Sequence, residues 1–331
     1  MRLGFMRRFD ACVGARILVD KCLNVGAYDD VLVVTDTNLF DLAEFLATVA
    51  GGTGAEVAVV TMIPRDAPGA EPPEPVAAAM KVADVVMMPT TFTLAPSWAR
   101  AEAQYAGARI LSLGGYSHDV LLSDALRADF PALRPTVEYV ARRLTEADAA
   151  IVTTALGTNA EMKLGTREAH ALHNVCHEPG TMGSPPDVEA YIAPMEDTAE
   201  GVVCIDGAIN LPEFGLLREP VKLTLERGEV VGIDGHGEAE RFRTLLESYG
   251  DPEMHRLGEL GIGLNPMARL VGIPLIDEGV LGTAHIALGL NYTYGGTIRD
   301  ARTHIDCVFK EPTIELDGVS ILKNGRLVEK G

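Results

Sequence analysis

The sequence predicts an α/β N-terminal domain with an open parallel sheet, followed by a mostly β (α+β) metal-binding domain. Three observations predict it. Apolar runs alternate with amphipathic ones over the first third of the chain. From about residue 150 these give way to short β-rich runs separated by Gly, Asp and Pro. The plausible metal-binding residues all fall in that second part. At 331 residues the chain is long enough for two domains of ordinary size. The boundary is expected where Arg134-Pro135 opens a helix between the two textures, giving an α/β domain over 1–140 and a β-rich catalytic domain over 141–331.

Taken in order, Val31 to Thr35 reads as a buried strand, Leu39 to Ala50 as a helix closed by Gly51-Gly52, and Glu56 to Thr61 as the next strand. After the Pro-rich stretch from Pro64 to Pro75, a helix over Pro75 to Val82 precedes a short strand over Ala83 to Met88. A helix around Trp98 to Ala106 then leads into the strand Arg109 to Leu113. Strands alternating with helices make a parallel sheet. No G-x-G-x-x-G follows the first strand, so a dinucleotide site has no fingerprint. In the second part, strands are expected at Ala150 to Thr154, Val202 to Ile205, Val221 to Leu225 and Glu229 to Ile233. A helix follows at Glu238 to Ser248, then strands at Ala284 to Leu288, His304 to Phe309 and Thr313 to Leu316. Leu316-Asp-Gly-Val and Lys323-Asn-Gly-Arg are hairpin turn signals.

Composition narrows the function classes. Hydrophobic residues make up 47% and charged residues 23%, which is globular rather than disordered. A net charge of −19 repels phosphate backbones and anionic lipid, so nucleic acid and membrane surfaces are not expected partners. The cysteines, Cys12, Cys22, Cys176, Cys204 and Cys307, are scattered, without a C-x-x-C pair, which supports neither a zinc finger nor a disulfide framework. Polar residues such as Asp10, Arg16 and Asp20 interrupt any apolar run behind the basic N-terminus, and no stretch reaches about 18 apolar residues. A cytoplasmic protein is the expectation.

His304 and Asp306, in Thr-His-Ile-Asp-Cys, carry the clearest chemistry. On a strand, residues i and i+2 point to one face, so both side chains can reach one ion while Ile305 and Cys307 turn away. His285 precedes them in Ala-His-Ile-Ala-Leu-Gly. Imidazole nitrogen and carboxylate oxygen suit zinc, manganese, cobalt or ferrous iron. Glu189 lies in a short run bounded by prolines and Glu259 in the apolar segment Gly-Glu-Leu-Gly-Ile-Gly. A carboxylate in such surroundings needs a cation or donor, although a turn role for either is equally simple. The run His170, His173, His177 has spacing for metal on a helix, but Asn174 and Pro179 read as loop and favour an exposed or substrate-side role. His255 and Glu278 are candidates to support the ligands from behind, Glu278 by fixing the tautomer of His285. His118 and His236 sit among polar residues and read as surface.

Several runs together resemble the aminopeptidase T family of metallopeptidases and its iron-dependent 2,5-dihydroxypyridine 5,6-dioxygenase branch. They are Pro-Asp-Val-Glu-Ala-Tyr-Ile-Ala-Pro, Glu-Leu-Gly-Ile-Gly-Leu-Asn-Pro, Gly-Thr-Ala-His-Ile-Ala-Leu-Gly-Leu-Asn-Tyr-Thr-Tyr-Gly-Gly, and Thr-His-Ile-Asp followed by Pro312-Thr and Asp317-Gly. The likeness covers most of the chain and is clearest from about Ala150 to Gly318. In the peptidases the corresponding residues hold two divalent metals, which implies Glu189, Glu259, His285, His304 and Asp306 as ligands here, with Tyr292 matching a catalytic tyrosine. The dioxygenase likeness includes Glu-Asp-Thr-Ala-Glu-Gly from Glu196. There a single iron is held by two His and one Asp, of which two map onto His304 and Asp306 and the third onto Glu259.

That departure at Glu259 favours a metal-dependent hydrolase, an aminopeptidase-like metalloprotease that cleaves an amide or peptide bond. Two ions of zinc, cobalt or manganese would activate a water, Glu259 would bridge the ions or orient the water, and Tyr292 would donate to the oxyanion, with Tyr294 as its competitor. The alternative is a non-haem Fe(II) extradiol-type ring-cleaving dioxygenase with one iron, acting on a hydroxylated pyridine or related aromatic. His285, His304 and Asp306 could by themselves form its facial triad. The partner expected is a small molecule or short peptide. A homodimer follows from the resemblance and from base rates. The chain is also short at its N-terminus relative to those peptidases, which implies a less complete wall around the cleft.

Overall fold

A computed structural model describes residues 5–211 and 213–328; the first residues of the basic N-terminal run, Met1 to Gly4, lie outside the described residues. The chain divides into two compact units, Met1–Arg134 with His173–Pro186, and Pro135–Leu172 with Asp187–Gly331. The expected boundary at residue 140 falls inside the helix Phe130–Glu146.

The first unit holds a five-stranded parallel sheet in the order Glu56–Met62, Asp30–Asp36, Val85–Met88, Arg109–Ser112, Met182–Gly183. Val85–Met88 is buried along its whole length, as a parallel strand covered on both faces must be. Its flanking helices show why they form. In Phe40–Gly51, Leu42, Leu46 and Ala50 recur on one face and are buried. The helix Trp98–Tyr105 is capped by Ser97, whose hydroxyl accepts the N–H of Arg100, a contact worth about 1 kcal/mol. The α/β expectation is met element by element, with boundaries shifted by a residue or two.

The second unit is mostly β. An eight-stranded sheet runs Glu229–Gly235, Val221–Glu226, Glu200–Ile205, Asn159–Lys163, Ala149–Thr153, Thr313–Leu316, Val319–Lys323, Arg326–Leu327. A seven-stranded antiparallel sheet runs Gly215–Leu216, Ala208–Ile209, His304–Lys310, Thr283–Gly289, Leu257–Gly263, Glu189–Ile192, His170–Leu172. Its central strands Leu257–Gly263 and Thr283–Gly289 are buried at every position. The predicted helix appears at Gly237–Tyr249 and ends on Gly250 in the left-handed region, φ 59°, where glycine carries no Cβ penalty. Among the described residues no helix is long and apolar enough to cross a membrane.

Candidate metal centre

Four adjacent strands of the seven-stranded sheet supply the five metal-ligand candidates. Glu259 pairs with Ala287 and Ala287 with Asp306, so Glu259 and Asp306 stand in one cross-strand row. Two residues along each strand, Gly261 pairs with His285 and Gly289 with His304. One step further Gly263 pairs with Glu189. Because the side-chain period of a strand is two, these pairings put all five ligand candidates on the same face. Positions interleaved with them on that face include Gly261, Gly263, Ala287 and Gly289. Small residues alternate with ligands like squares of a board and leave the imidazoles and carboxylates room to converge.

The donor atoms do converge. They fall into two groups within 4.8 Å, Glu189–Glu259–His285 and Glu259–His304–Asp306, with Glu259 common to both. His285 Nε2 lies 3.1 Å from Glu259 Oε1 and 3.2 Å from Glu189 Oε2. His304 Nε2 lies 3.1 Å from Asp306 Oδ1 and 3.6 Å from Glu259 Oε2. The first group is fully buried, whereas the His304 side chain is 29% exposed and gives the second an open side. Behind His304, the Leu290 carbonyl takes a hydrogen bond from Nδ1 at 2.7 Å, which leaves the Nε2 lone pair aimed into the group. The Tyr294 hydroxyl donates to the same carbonyl at 3.0 Å and lies 3.1 Å from His304 Nδ1.

Electrostatics describe a site short of positive charge. Burial pushes the Glu189 carboxyl well above the carboxylate range, and the charges of Asp187 and Glu259 push it further. Burial lifts Asp187 to about 7 against the pull of His285. Burial, then Asp306, raises Glu278. Burial opposes the proton on His304, yet Asp306 and Glu259 outweigh it and hold its pKa at about 10; Asp306, buried as well, is drawn down to about 2 by His304. His285 is likewise raised against burial by Glu259 and Asp306. Glu189 Oε2 is buried without a hydrogen bond. Two imidazoles cannot neutralise this many carboxylates, and a divalent cation would. Nitrogen and oxygen donors of this kind fit a first-row divalent ion.

Other sequence candidates separate cleanly. Tyr292, expected to be catalytic, is 41% exposed, and the turn Tyr292–Tyr294 instead brings Tyr294 against His304. Glu278 accepts from Asn210 Nδ2 at 2.8 Å rather than fixing His285, whose Nδ1 makes no hydrogen bond. His177 donates to the Lys21 carbonyl, and His173 Nδ1 accepts the N–H of Val175, so that pair serves loop structure. His170 stacks on Tyr191 at 5.2 Å, Tyr191 meets Tyr294 edge to face at 5.4 Å, and Tyr294 meets His304 at 5.9 Å. Tyr191 in this half-buried ring wall and the buried Asp187 are the parts that sequence reading missed. The glycines at every second position of Glu-Leu-Gly-Ile-Gly were the signal for a crowded ligand face.

Comparison with known proteins follows the same scaffold. The family model of NicX, 2,5-dihydroxypyridine 5,6-dioxygenase, matches residues 60–329. The 2,5-dihydroxypyridine 5,6-dioxygenase of Pseudomonas putida KT2440 is 30% identical over 182 residues, 52% of this chain and 52% of that relative, so the alignment spans about half the length of the relative. The solved structure of 2,5-dihydroxypyridine dioxygenase from Pseudomonas putida KT2440 superimposes with a TM-score of 0.84 at 24% identity, covering 97% of this chain and 98% of that one. Wild-type AmpT from Thermus thermophilus gives 0.72 at 18% identity, covering 98% and 100%. The two structures share the fold. The family match overturns the expectation of an amide hydrolase, and with it the aminopeptidase and metalloprotease readings. The physical reason is that nitrogen and oxygen donors of this kind suit the metals of both chemistries. Carboxylates gathered around a shared Glu259 report the demand for cations, not the reaction those cations perform.

Proposed function

The chain belongs to the 2,5-dihydroxypyridine 5,6-dioxygenase family, and from that premise we propose that it is a non-haem Fe(II) dioxygenase that opens the ring of a hydroxylated pyridine or a closely related aromatic. The observation that carries the reading, beside the family match, is the open donor group Glu259–His304–Asp306 with aromatic rings next to it. One ferrous ion held there by Glu259, His304 and Asp306 would supply the one-electron chemistry that lets dioxygen react with an aromatic ring.

The chain's own residues account for the rest. Leu290 and Tyr294 keep the Nδ1 side of His304 occupied, so its Nε2 stays available to the ion. Asp306 and Glu259 bring negative charge that matches a divalent ion, whose positive charge would lower the cost of burying them. The rings of His170, Tyr191 and Tyr294 present apolar faces at the half-exposed side, against which a planar heterocycle can stack, as aromatic pairs do at such spacings. The closed group Glu189–Glu259–His285 fixes the second oxygen of Glu259 from behind. A homodimer is proposed with it, on the base rate for soluble enzymes, and light scattering of the purified chain checks it.

The test is anaerobic reconstitution with Fe(II), followed by 2,5-dihydroxypyridine in oxygenated buffer. The expected result is stoichiometric oxygen uptake, with loss of the substrate's absorption, at about one iron per chain. Protein that holds one iron yet consumes no oxygen with this or related hydroxypyridines would refute the reading.

A further inference from the structure

We propose that Arg167, Glu196 and Asn291 form a buried positioning relay that fixes the turn 290–298 and, through the Leu290 carbonyl and the Tyr294 hydroxyl, the imidazole of His304. The inference rests on the reading of His304 as a metal ligand and deepens it by naming what holds that ligand in place.

Asn291 is the hub. It is fully buried, and its Nδ2 donates to Glu196 Oε1 at 3.2 Å and to the Gly258 carbonyl at 3.3 Å, while its Oδ1 accepts the N–H of Ile298 at 2.8 Å. Its backbone carbonyl receives the N–H groups of Tyr294 and Gly296 at 3.3 and 3.0 Å. One side chain therefore ties the residue before Glu259 to both ends of the turn that carries Tyr294. Gly296 makes room for it, since a Cβ there would lie 2.0 Å from the Asn291 amide. The residue before Asn291 is Leu290, whose carbonyl holds His304 Nδ1.

Glu196 anchors the hub from outside the turn. Its Oε1 also accepts the N–H of Thr297 at 2.7 Å, and its Oε2 meets Arg167 Nη2 at 2.5 Å. The side chains of Arg167 and Glu196 are 11% and 9% exposed. An ion pair this enclosed is weak support for stability, because desolvation offsets most of the Coulombic attraction. It does hold a direction. With Arg167 on one oxygen and the turn on the other, Glu196 has little freedom to rotate, and neither does the amide it holds.

The experiment uses the full chain, stripped of metal by chelation and titrated with Co(II) alone, read by visible d–d absorption, with thermal melting alongside. Glu196→Gln keeps the volume and removes the charge; Asn291→Ala removes the hub. Each is expected to weaken cobalt binding about tenfold and to alter the band envelope, as happens when the partner behind a ligating imidazole is disturbed. Because Glu196→Gln alone leaves Arg167 buried without its carboxylate, the double variant Arg167→Met with Glu196→Gln removes both charges together. It is expected to melt close to the parent chain and still bind cobalt about tenfold more weakly. Folded variants with parental affinity and spectrum would overturn the relay, as would affinity that falls only in step with the folded fraction. A parental chain that binds no cobalt would overturn the metal reading itself, and the relay with it.

Discussion

Gly261 faces His285 across two paired strands so closely that a Cβ on Gly261 would lie 2.0 Å from the imidazole Nε2. The ring occupies the space that any other residue would fill. Gly261→Ala should therefore push the imidazole off Glu189 and Glu259, at an overpacking cost of about 1–3 kcal/mol. The expected outcome is a lower melting temperature together with weaker metal binding. A variant with both unchanged would mean that the ring swings aside without consequence.

Glu259 stands in both donor groups, one oxygen in each. Glu259→Ala removes a donor from each at once and leaves His285 and His304 without their shared carboxylate. Metal content should fall to about a tenth of the parental value or lower, since losing a ligand costs at least as much as losing the partner behind one. Glu259→His is the sharper probe, because a second nitrogen beside His304 keeps the open group complete for one ferrous ion. Elemental analysis of the purified chains decides, and an alanine variant with full metal content would remove Glu259 from the ligand set.

Tyr294 and Tyr292 lie two residues apart in one turn, but only Tyr294 reaches His304. Tyr294→Phe loses the hydroxyl bond to the Leu290 carbonyl, the acceptor that also orients the imidazole. Turnover should drop about tenfold, a loss of the size seen when such outer partners are removed. The loss at Tyr292→Phe should be smaller. Steady-state oxygen uptake by the two variants is the measurement, and a larger effect at Tyr292 would reverse the assignment.

The strands and the His304, Asp306 pair were legible because both depend on local pattern: apolar runs bounded by turns, and a period of two. His285, Glu189 and Glu259 were visible as candidates in their own runs, and the family motifs joined them into one set. What pattern could not supply is register. Nothing in the sequence around Glu259 says that it faces Ala287, or that Ala287 faces Asp306, and a slip of one residue would send the slipped strand's ligand candidates to the opposite face. That Tyr294 and not Tyr292 lies beside His304 was hidden for the same reason, since the turn is held by Asn291 and, from a distant segment, by Glu196. The strand Met182–Gly183 was too short for any periodicity to reveal. Reaction class was the least legible, because imidazole and carboxylate donors suit the metals of both hydrolysis and oxygenation.

Asp277 offers a pH test outside the set of ligand candidates. It is fully buried at the end of the short helix Pro274–Asp277 and accepts the N–H groups of Val271 and Gly272 at 2.7 and 2.8 Å. Burial pushes its carboxyl up from 3.8 to about 6, and the two N–H donors only partly oppose that rise. A folded-state pKa above the unfolded one means that the native chain holds this proton more tightly. The stabilisation is thus fully present below about pH 4 and is lost as pH rises through about 6. At 1.36 kcal/mol per unit the loss approaches about 3 kcal/mol. Asp277→Asn cannot titrate, and any fixed cost of turning an amide toward the two N–H groups is the same at every pH. Urea denaturation of both chains between pH 4 and 7 should show the parental protein losing stability relative to the variant across that window. A difference that stays constant with pH would show that the two N–H donors hold the Asp277 carboxyl near its ordinary value.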